Sequence, residues 1–129
     1  MVKPLTAILI LAAVTGLAGA AFAAEDAAEG EKVFKKCAAC HSVGEGAKNK
    51  IGPMLNGILG AKAASVPDFK YSEALSAKGA AGLTWSEDTL AAYLEKPKDY
   101  VPGTTMSNFP GLRKEDEREA VIAYLKTFR

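Results

Sequence analysis

Cys37-Ala38-Ala39-Cys40-His41 is the stretch on which the reading of the 129-residue chain turns. Two cysteines three residues apart share one side of a single helical turn. Both thiols can therefore add to the two vinyl groups along one edge of a porphyrin, and the residue that follows offers an imidazole to the iron. This C-x-x-C-H run is the attachment pattern of a c-type haem. A neutral imidazole is a good axial ligand for haem iron, and here it arrives without a flexible tether. Ala38 and Ala39 are too small to obstruct the ring.

Two other chemistries use the same cysteine spacing. A structural zinc site needs four ligands in tetrahedral array, but the chain has no cysteine beyond this pair and no histidine beyond His41. A thioredoxin-like pair would cycle between dithiol and disulfide and would sit in βαβ patterning, which the sequence does not show. Unrelated structural cysteines would have no reason to arrive as a spaced pair followed by the sole histidine.

The N-terminus has the pattern of an export signal. Lys3 forms a short positive region, Leu5 to Leu17 is an apolar stretch broken only by Thr6, Thr15 and Gly16, and Ala21-Phe22-Ala23 offers small residues for cleavage. The division expected is a cleaved secretory signal peptide over residues 1–23 and one domain over residues 24–129. An uncleaved anchor is the alternative, since the uncharged run from Leu5 to Ala24 is long enough to span a bilayer. Export to the periplasm fits the motif, because haem is attached to such proteins outside the cytoplasm and both thiols are consumed as thioethers. Cleavage removes Lys3 alone among the charged residues of a chain whose formal net charge is +1, leaving a balanced body. Nothing in that balance points to nucleic acid or another polyanion. No stable membrane insertion is expected after cleavage, and the body reads as a monomer.

Along the body the punctuation is helical. Asp26 with Glu29 three residues on resembles an N-terminal capping pair, and Gly30, Val33, Phe34 and Cys37 follow at helical spacing. From Ser42 to Tyr71 the periodicity disappears under Gly44, Gly46, Gly52, Pro53, Gly57, Gly60 and Pro67, which predicts a long irregular loop. Such a loop needs something to pack against, and a haem face provides it. Within it, the Pro53 carbonyl is the candidate partner for the far nitrogen of His41, the contact that fixes the tautomer of a ligating imidazole.

Ser72 predicts the cap of a short helix through Lys78, with Gly79 as its stop. After Trp85, Ser86 caps a clearer helix with Glu87 and Asp88 in its first turn, Leu90, Tyr93 and Leu94 on one face, and Pro97 as terminator. Lys96 to Leu112 reads as a second irregular loop. Glu115 to Phe128 is a strong helix with acidic residues near its start and Val121, Ile122, Leu125 and Phe128 on its buried side. With no sheet to cover them, the first and last helices must bury their apolar stripes on each other, and small Gly30 facing Tyr124 permits a close crossing. The fold class expected is all-α.

The sole histidine rules out a bis-histidine haem. The second axial position is then taken by Met54, Met106 or a lysine, or left open, and with the haem motif present Met106 is the ligand expected beside His41. Met54 directly follows Pro53, which is assigned to the His41 side of the ring. Met106 lies in Tyr100-Val101-Pro102-Gly103-Thr104-Thr105-Met106, a proline-stiffened loop separated from His41 by two helices. A thioether ligand favours reduced iron and raises the potential. Methionine is otherwise a filler of core gaps.

Together these residues resemble a class I cytochrome c, of the bacterial cytochrome c2 and mitochondrial types. The likeness is carried by Gly30 and Phe34, the Cys37–His41 motif, Gly52-Pro53 with Leu55 and Gly57, and Phe69-x-Tyr71-Ser72. It continues through Thr84-Trp85, Tyr93-Leu94-Glu95-x-Pro97, Pro102-Gly103-Thr104-x-Met106 and Ile122-Ala123-Tyr124-Leu125. The resemblance implies N- and C-terminal helices crossing, with shorter helices and loops wrapped around one haem c. It implies that Tyr71 and Trp85 hydrogen-bond a haem propionate and that Tyr93 and Thr104 lie near the methionine ligand. Three departures stand out. Ala61, followed by Lys62, replaces an arginine that binds a propionate in the family. Leu75 stands where asparagine is usual, in a longer Tyr71–Trp85 segment. One extra residue in Met106-Ser107-Asn108-Phe109-Pro110-Gly111 makes Phe109 an approximate match for the aromatic gatekeeper.

A haem with both axial positions held by protein has no place for a substrate, so the function expected is a single-haem electron carrier of a respiratory or photosynthetic chain. The rival is a haem enzyme or gas-binding protein with an open sixth position. In the family, lysines around the haem edge guide docking, and Lys36, Lys48, Lys50, Lys98, Lys114 and Arg113 match such positions. Each by itself also reads as ordinary solvated surface. The partners implied are a bc-type complex, a terminal oxidase, a photosynthetic reaction centre or a periplasmic dehydrogenase.

Overall fold

The computed structural model describes residues 18–129 of the chain. Its elements are α1 (Ala18–Phe34), α2 (Glu73–Ala80), α3 (Glu87–Glu95), α4 (Pro97–Tyr100), a 3₁₀ helix (Thr105–Asn108) and α5 (Glu115–Lys126). Among the described residues the only β feature is an isolated antiparallel bridge between Lys62 and Thr84, so the fold is all-α. Residues 1–17, which carry most of the expected export signal, lie outside the described residues; its last positions fall in the first turns of α1.

The frame is the crossing of α1 and α5. Val33 and Phe34 from α1 and Ala120, Val121, Ile122 and Leu125 from α5 are buried, each of the larger side chains contributing about 1.5–3 kcal/mol by leaving water. The Phe34 and Tyr124 rings meet at 5.5 Å. Gly30 makes the approach possible. A Cβ there would run into the Ala120 carbonyl oxygen and lie 2.6 Å from Tyr124 Cβ, so any side chain would force the helices apart.

The expected start of α1 at Asp26 is not observed. The helix passes through that position without a break, sustained by an alanine-rich run that is the best helix former available, and Asp26 is an exposed interior residue. It ends at Phe34, but the backbone keeps turning: Cys40 N–H donates to Cys37 O at 3.1 Å and His41 N–H to the same carbonyl at 2.9 Å. The attachment motif is therefore one helical turn appended to α1.

From Ser42 to Tyr71 the chain is irregular, as expected. It is nevertheless stitched down. Leu55 N–H donates to Ser42 O (3.0 Å), Gly57 N–H to Phe128 O (2.9 Å), Ala63 N–H to Leu83 O and Trp85 N–H to Ala61 O (both 2.8 Å). Ser72 caps α2 by accepting from Leu75 N–H at 3.1 Å. Gly79, expected to stop this helix, instead lies inside it and is buried where a Cβ would strike the Ala63 carbonyl. The stop falls at Gly82, at φ +102°, with Leu83 N–H returning to Lys78 O and Gly82 N–H to Gly79 O, both 3.0 Å; this is a Schellman ending.

Ser86 caps α3 in a reciprocal box with Thr89, and Leu90, Tyr93 and Leu94 face inward. The segment expected as a plain loop from Lys96 to Leu112 contains two short helices. Pro97 does end α3, but it also starts α4, because its fixed φ and missing N–H suit the first position of a helix. Val101 and Leu112, 0% and 1% exposed, anchor this segment in the core. Lys126 Nζ donates to Glu87 Oε1 at 2.6 Å, linking α5 to α3. Phe128, beyond the end of α5, is half-buried and packs edge-on to Tyr124 at 5.0 Å.

Candidate haem site

A cavity of about 220 Å³ opens between the α1–α5 crossing, α3 and the two irregular segments. Its walls include Phe34, Leu55, Ile58, Leu90, Leu94, Val121 and Leu125, so the helices that make the core also make an apolar pocket. Cys37, Cys40, His41 and Met106 all line it. Met54 does not, and its backbone N–H is held by Asn49 Oδ1 at 3.0 Å.

Cys37 and Cys40 are not joined to each other as a disulfide. Burial, with the neighbouring Cys40 adding to it and Lys36 opposing it, pushes the Cys37 thiol up to about 11. A redox-active C-x-x-C requires the reverse, a thiol lowered toward neutrality. Among the described residues no cluster of His, Cys, Asp and Glu is able to hold a metal ion.

His41 is buried, and its Nδ1–H donates to the Pro53 carbonyl at 2.7 Å, the contact anticipated from the sequence. Burial holds the imidazole below its ordinary value, while the Pro53 bond works the other way and Lys50 adds to the lowering. With Nδ1 engaged as donor to Pro53, the neutral tautomer carries its lone pair on Nε2. Gly52 is what lets the loop lie on the ring: a Cβ there would be 2.7 Å from Nδ1 and 2.8 Å from Nε2. Its N–H donates to Cys40 O at 2.8 Å, fastening the loop to the motif turn.

The Met106 loop is held by a buried pair. Tyr93 on α3 lines the cavity, and its hydroxyl meets Thr104 Oγ1 at 2.5 Å. Thr104 lies behind the wall and also accepts the Met106 N–H at 3.2 Å. Trp85 and Phe109 line the cavity as well. The Trp85 ring packs on Tyr93 at 5.1 Å, and no buried polar side-chain atom is left without a partner among the described residues. The indole N–H has no protein acceptor among the described residues, and Trp85 is part of the cavity wall. Tyr71 is placed differently from the other expected haem neighbours. It is absent from the lining, its ring packs edge-on to Phe69 at 4.8 Å, and its hydroxyl accepts the Val66 N–H at 2.9 Å. Lys62 is exposed on the bridge to Thr84 and does not reach the lining either.

These groups fit a covalently held haem: two thiols for thioether bonds, an imidazole with its outer nitrogen already engaged, a thioether, and an apolar enclosure with one indole donor. A cytochrome c family profile matches residues 27–129. The chain belongs to the cytochrome c family. It is 52% identical over 101 residues to a cytochrome c2 of Afifella marina, covering 78% of this chain and 81% of the relative. It is 46% identical to a cytochrome c2 of Rhodospirillum rubrum along the whole of both chains. The solved cytochrome c2 of Rhodospirillum centenum superposes with a TM-score of 0.76 at 41% identity, covering 80% of this chain and 98% of that one. As a member of this family the protein is an electron carrier rather than an enzyme, with one haem c as cofactor, and Cys37 and Cys40 fit the attachment motif.

The lysines matched to docking positions are not equivalent. Lys36 lines the cavity but is paired with Glu117 at 2.9 Å. Lys50 Nζ donates to Ala38 O at 2.8 Å. Lys98 and Arg113 line a second, polar pocket that shares Phe109 with the haem cavity, while Lys48 and Lys114 are exposed beside Lys50 and Arg113. No helix among the described residues is long and apolar enough to cross a membrane. Of the residues that shape the site, the apolar wall from Leu55, Ile58 and Leu90 was visible in sequence only as general core pattern, because periodicity does not say which core residue faces a cofactor.

Proposed function

We propose that the chain carries single electrons through a haem whose iron is closed on both sides, by His41 and by Met106. One observation supports this most: His41, Met106 and both cysteines line one cavity, and Met54, the competing thioether, lies outside it. The haem iron supplies one-electron chemistry when bound. The protein's part is to hold geometry. Cys37 and Cys40 anchor the ring, Pro53 fixes the imidazole tautomer, the Tyr93–Thr104 pair holds the methionine loop, and Trp85 offers its N–H to a propionate. Of Tyr71, Lys62 and Trp85, the residues expected to meet a propionate, Trp85 is the one in the cavity wall, since Tyr71 is engaged at Val66 and Lys62 lies away from the lining. Phe109 adds an aromatic face to the cavity lining.

Lys48, Lys50, Lys98, Arg113 and Lys114, with Lys36 in a supporting place, form the docking surface for an acidic redox partner: a bc-type complex, a terminal oxidase, a reaction centre or a periplasmic dehydrogenase. Export by residues 1–23 delivers the domain, residues 24–129, to the periplasm as a monomer.

The test is ligation. Proton NMR of the reduced protein is expected to show one methionine methyl shifted far upfield by the haem ring current and lost in Met106→Ala, with carbon monoxide binding slow in the parent and fast in the variant. Rapid carbon monoxide binding by the parent protein at neutral pH would sink the closed-site reading in favour of an open haem.

A further inference from the structure

We propose that Asn56-Gly57 is a modification site of this protein, a deamidation site that the backbone carbonyl of Phe128 keeps shut while the C-terminal segment is docked. Each of the two residues has its own structural reason to be there. Leu55 to Ile58 form a β-turn closed by Ile58 N–H donating to Leu55 O at 3.2 Å. Gly57 stands at its third position with φ +71°, the place that a type II turn reserves for glycine. Asn56 staples a different loop: its Oδ1 accepts the Gly44 N–H and its Nδ2–H donates to the Gly44 carbonyl, each at 2.8 Å. Leu55 and Ile58 line the haem cavity, whereas Asn56 and Gly57 do not, and Gly57 is exposed.

Together they place two reactive groups side by side. The Gly57 nitrogen has no side chain beside it to hinder an approach, so once deprotonated it attacks Asn56 Cγ. The new N–Cγ bond closes a five-membered succinimide, the Cγ–Nδ2 bond breaks, and the proton lost from the Gly57 nitrogen leaves with Nδ2 as ammonia. Water then opens the ring. Addition at Cγ yields aspartate, and addition at the backbone carbonyl carbon yields isoaspartate, with the main chain rerouted through Cβ. No oxidant or reductant is consumed; either product is one dalton heavier than the parent and carries one more negative charge.

The fold restrains both reactants. Gly57 N–H donates to Phe128 O at 2.9 Å, and the nitrogen must give up that bond before it can lose its proton and turn to Cγ. Both ends of the Asn56 amide are committed to Gly44. Phe128 stands behind each restraint, since a Cβ on Gly44 would lie 3.7 Å from its Cε1, and its ring is pinned edge-on to Tyr124 at 5.0 Å. Reaction therefore proceeds from the fraction of molecules in which the last residues have let go. The product also changes the loop it held. A carboxylate at position 56 still accepts the Gly44 N–H but has no donor for the Gly44 carbonyl, so two acceptors face each other and the loop carrying exposed Glu45 and Lys48 loosens.

The experiment incubates haem-loaded parent protein and a haem-loaded chain ending at Thr127 at mildly alkaline pH, over a series of guanidinium concentrations. Peptide mapping by mass spectrometry locates the one-dalton gain, and methylation by an isoaspartate methyltransferase counts isoaspartate. Modification is expected first at position 56, about tenfold or more slower in the folded parent than in the unfolded chain. The shortened chain should react several times faster than the parent. Should that chain fail to fold, the parent alone decides: its Gly57 amide hydrogen exchange and its deamidation should rise in parallel as guanidinium is raised. Deamidation of the folded parent at the unfolded rate, equal rates in the parent and a folded shortened chain, or Gly57 exchange that rises without deamidation would overturn the proposal. Asn56→Asp, standing in for the aspartyl product, is expected to let trypsin cut after Lys48 about three to ten times faster than in the parent. Equal cutting would overturn the loosening of the loop.

Discussion

The Tyr93 hydroxyl and Thr104 Oγ1 lie 2.5 Å apart in a buried hydrogen bond that ties α3 to the loop bearing Met106. Thr104 also accepts the Met106 N–H, so one hydroxyl connects a core helix to the backbone of the candidate ligand. Removing one partner of a buried hydrogen bond strands the other. Thr104→Val, which leaves the Tyr93 O–H facing an apolar surface, is expected to cost about 1–3 kcal/mol in denaturant unfolding of the haem-loaded protein. Tyr93→Phe is expected to cost less, since Thr104 keeps the Met106 N–H. Equal stability of Thr104→Val and parent would show that this bond does not hold the loop.

Burial pushes the Tyr93 phenol above its ordinary value of 10, with the Thr104 bond working against it. The sign follows from proton uptake: above pH 10 the unfolded chain gives up this proton before the folded one does, so unfolding is favoured. The contribution is complete below pH 10 and is lost as pH rises through the folded value. Unfolding free energy measured as a function of pH should therefore fall more steeply above pH 10 for the parent than for Tyr93→Phe. Parallel curves would remove Tyr93 from the alkaline limb.

Gly30→Ala places a methyl against the Ala120 carbonyl and 2.6 Å from Tyr124 Cβ. Neither obstacle is the free end of a side chain, so the helices must separate. A loss of about 2–4 kcal/mol is expected, read from thermal or denaturant melts. An unchanged melting temperature would show that the crossing has slack that the packing does not suggest.

The two methionines give a paired test of the site. Met106→Leu should leave haem attached through Cys37 and Cys40 while abolishing the methionine-ligated spectrum and lowering the reduction potential, because a thioether favours reduced iron. Met54→Leu should leave both unchanged. The reverse pattern would move the ligand to the Pro53 side of the loop.

Ala64, at φ 58°, holds a left-handed backbone without being glycine, a conformation that costs an L-residue roughly 1–2 kcal/mol. Ala64→Gly relieves that strain but frees the unfolded chain as well. The net gain expected is below about 1 kcal/mol, seen as a small rise in the unfolding midpoint. A clear loss would mean that the Ala64 side chain has a packing role.

How much was legible from the chain depends on how local the cause was. The motif turn at Cys37–His41, the Ser72 and Ser86 caps, and the apolar stripe of α5 all follow from residues within a few positions of one another, and sequence reading found each of them. The helix limits that it misplaced depended on something remote or on a competing preference. Asp26 does not cap because the alanine run before it extends the helix, and Gly79 is inside α2 because Ala63, far back in the chain, needs room. Pro97 ends α3 and, by the same fixed φ and missing N–H, begins α4.

Residue identity and spacing were enough to establish a covalent haem motif, a single histidine to ligate it, and an all-helical pattern with no sheet to cover its first and last helices. Tertiary packing settled the rest: Met106 and not Met54 shares the cavity with His41, and Tyr71 turns to Val66 while Trp85 joins the cavity wall. These outcomes depend on which distant segments share a wall. That is set by packing the whole chain around one apolar cavity, and no local pattern encodes it.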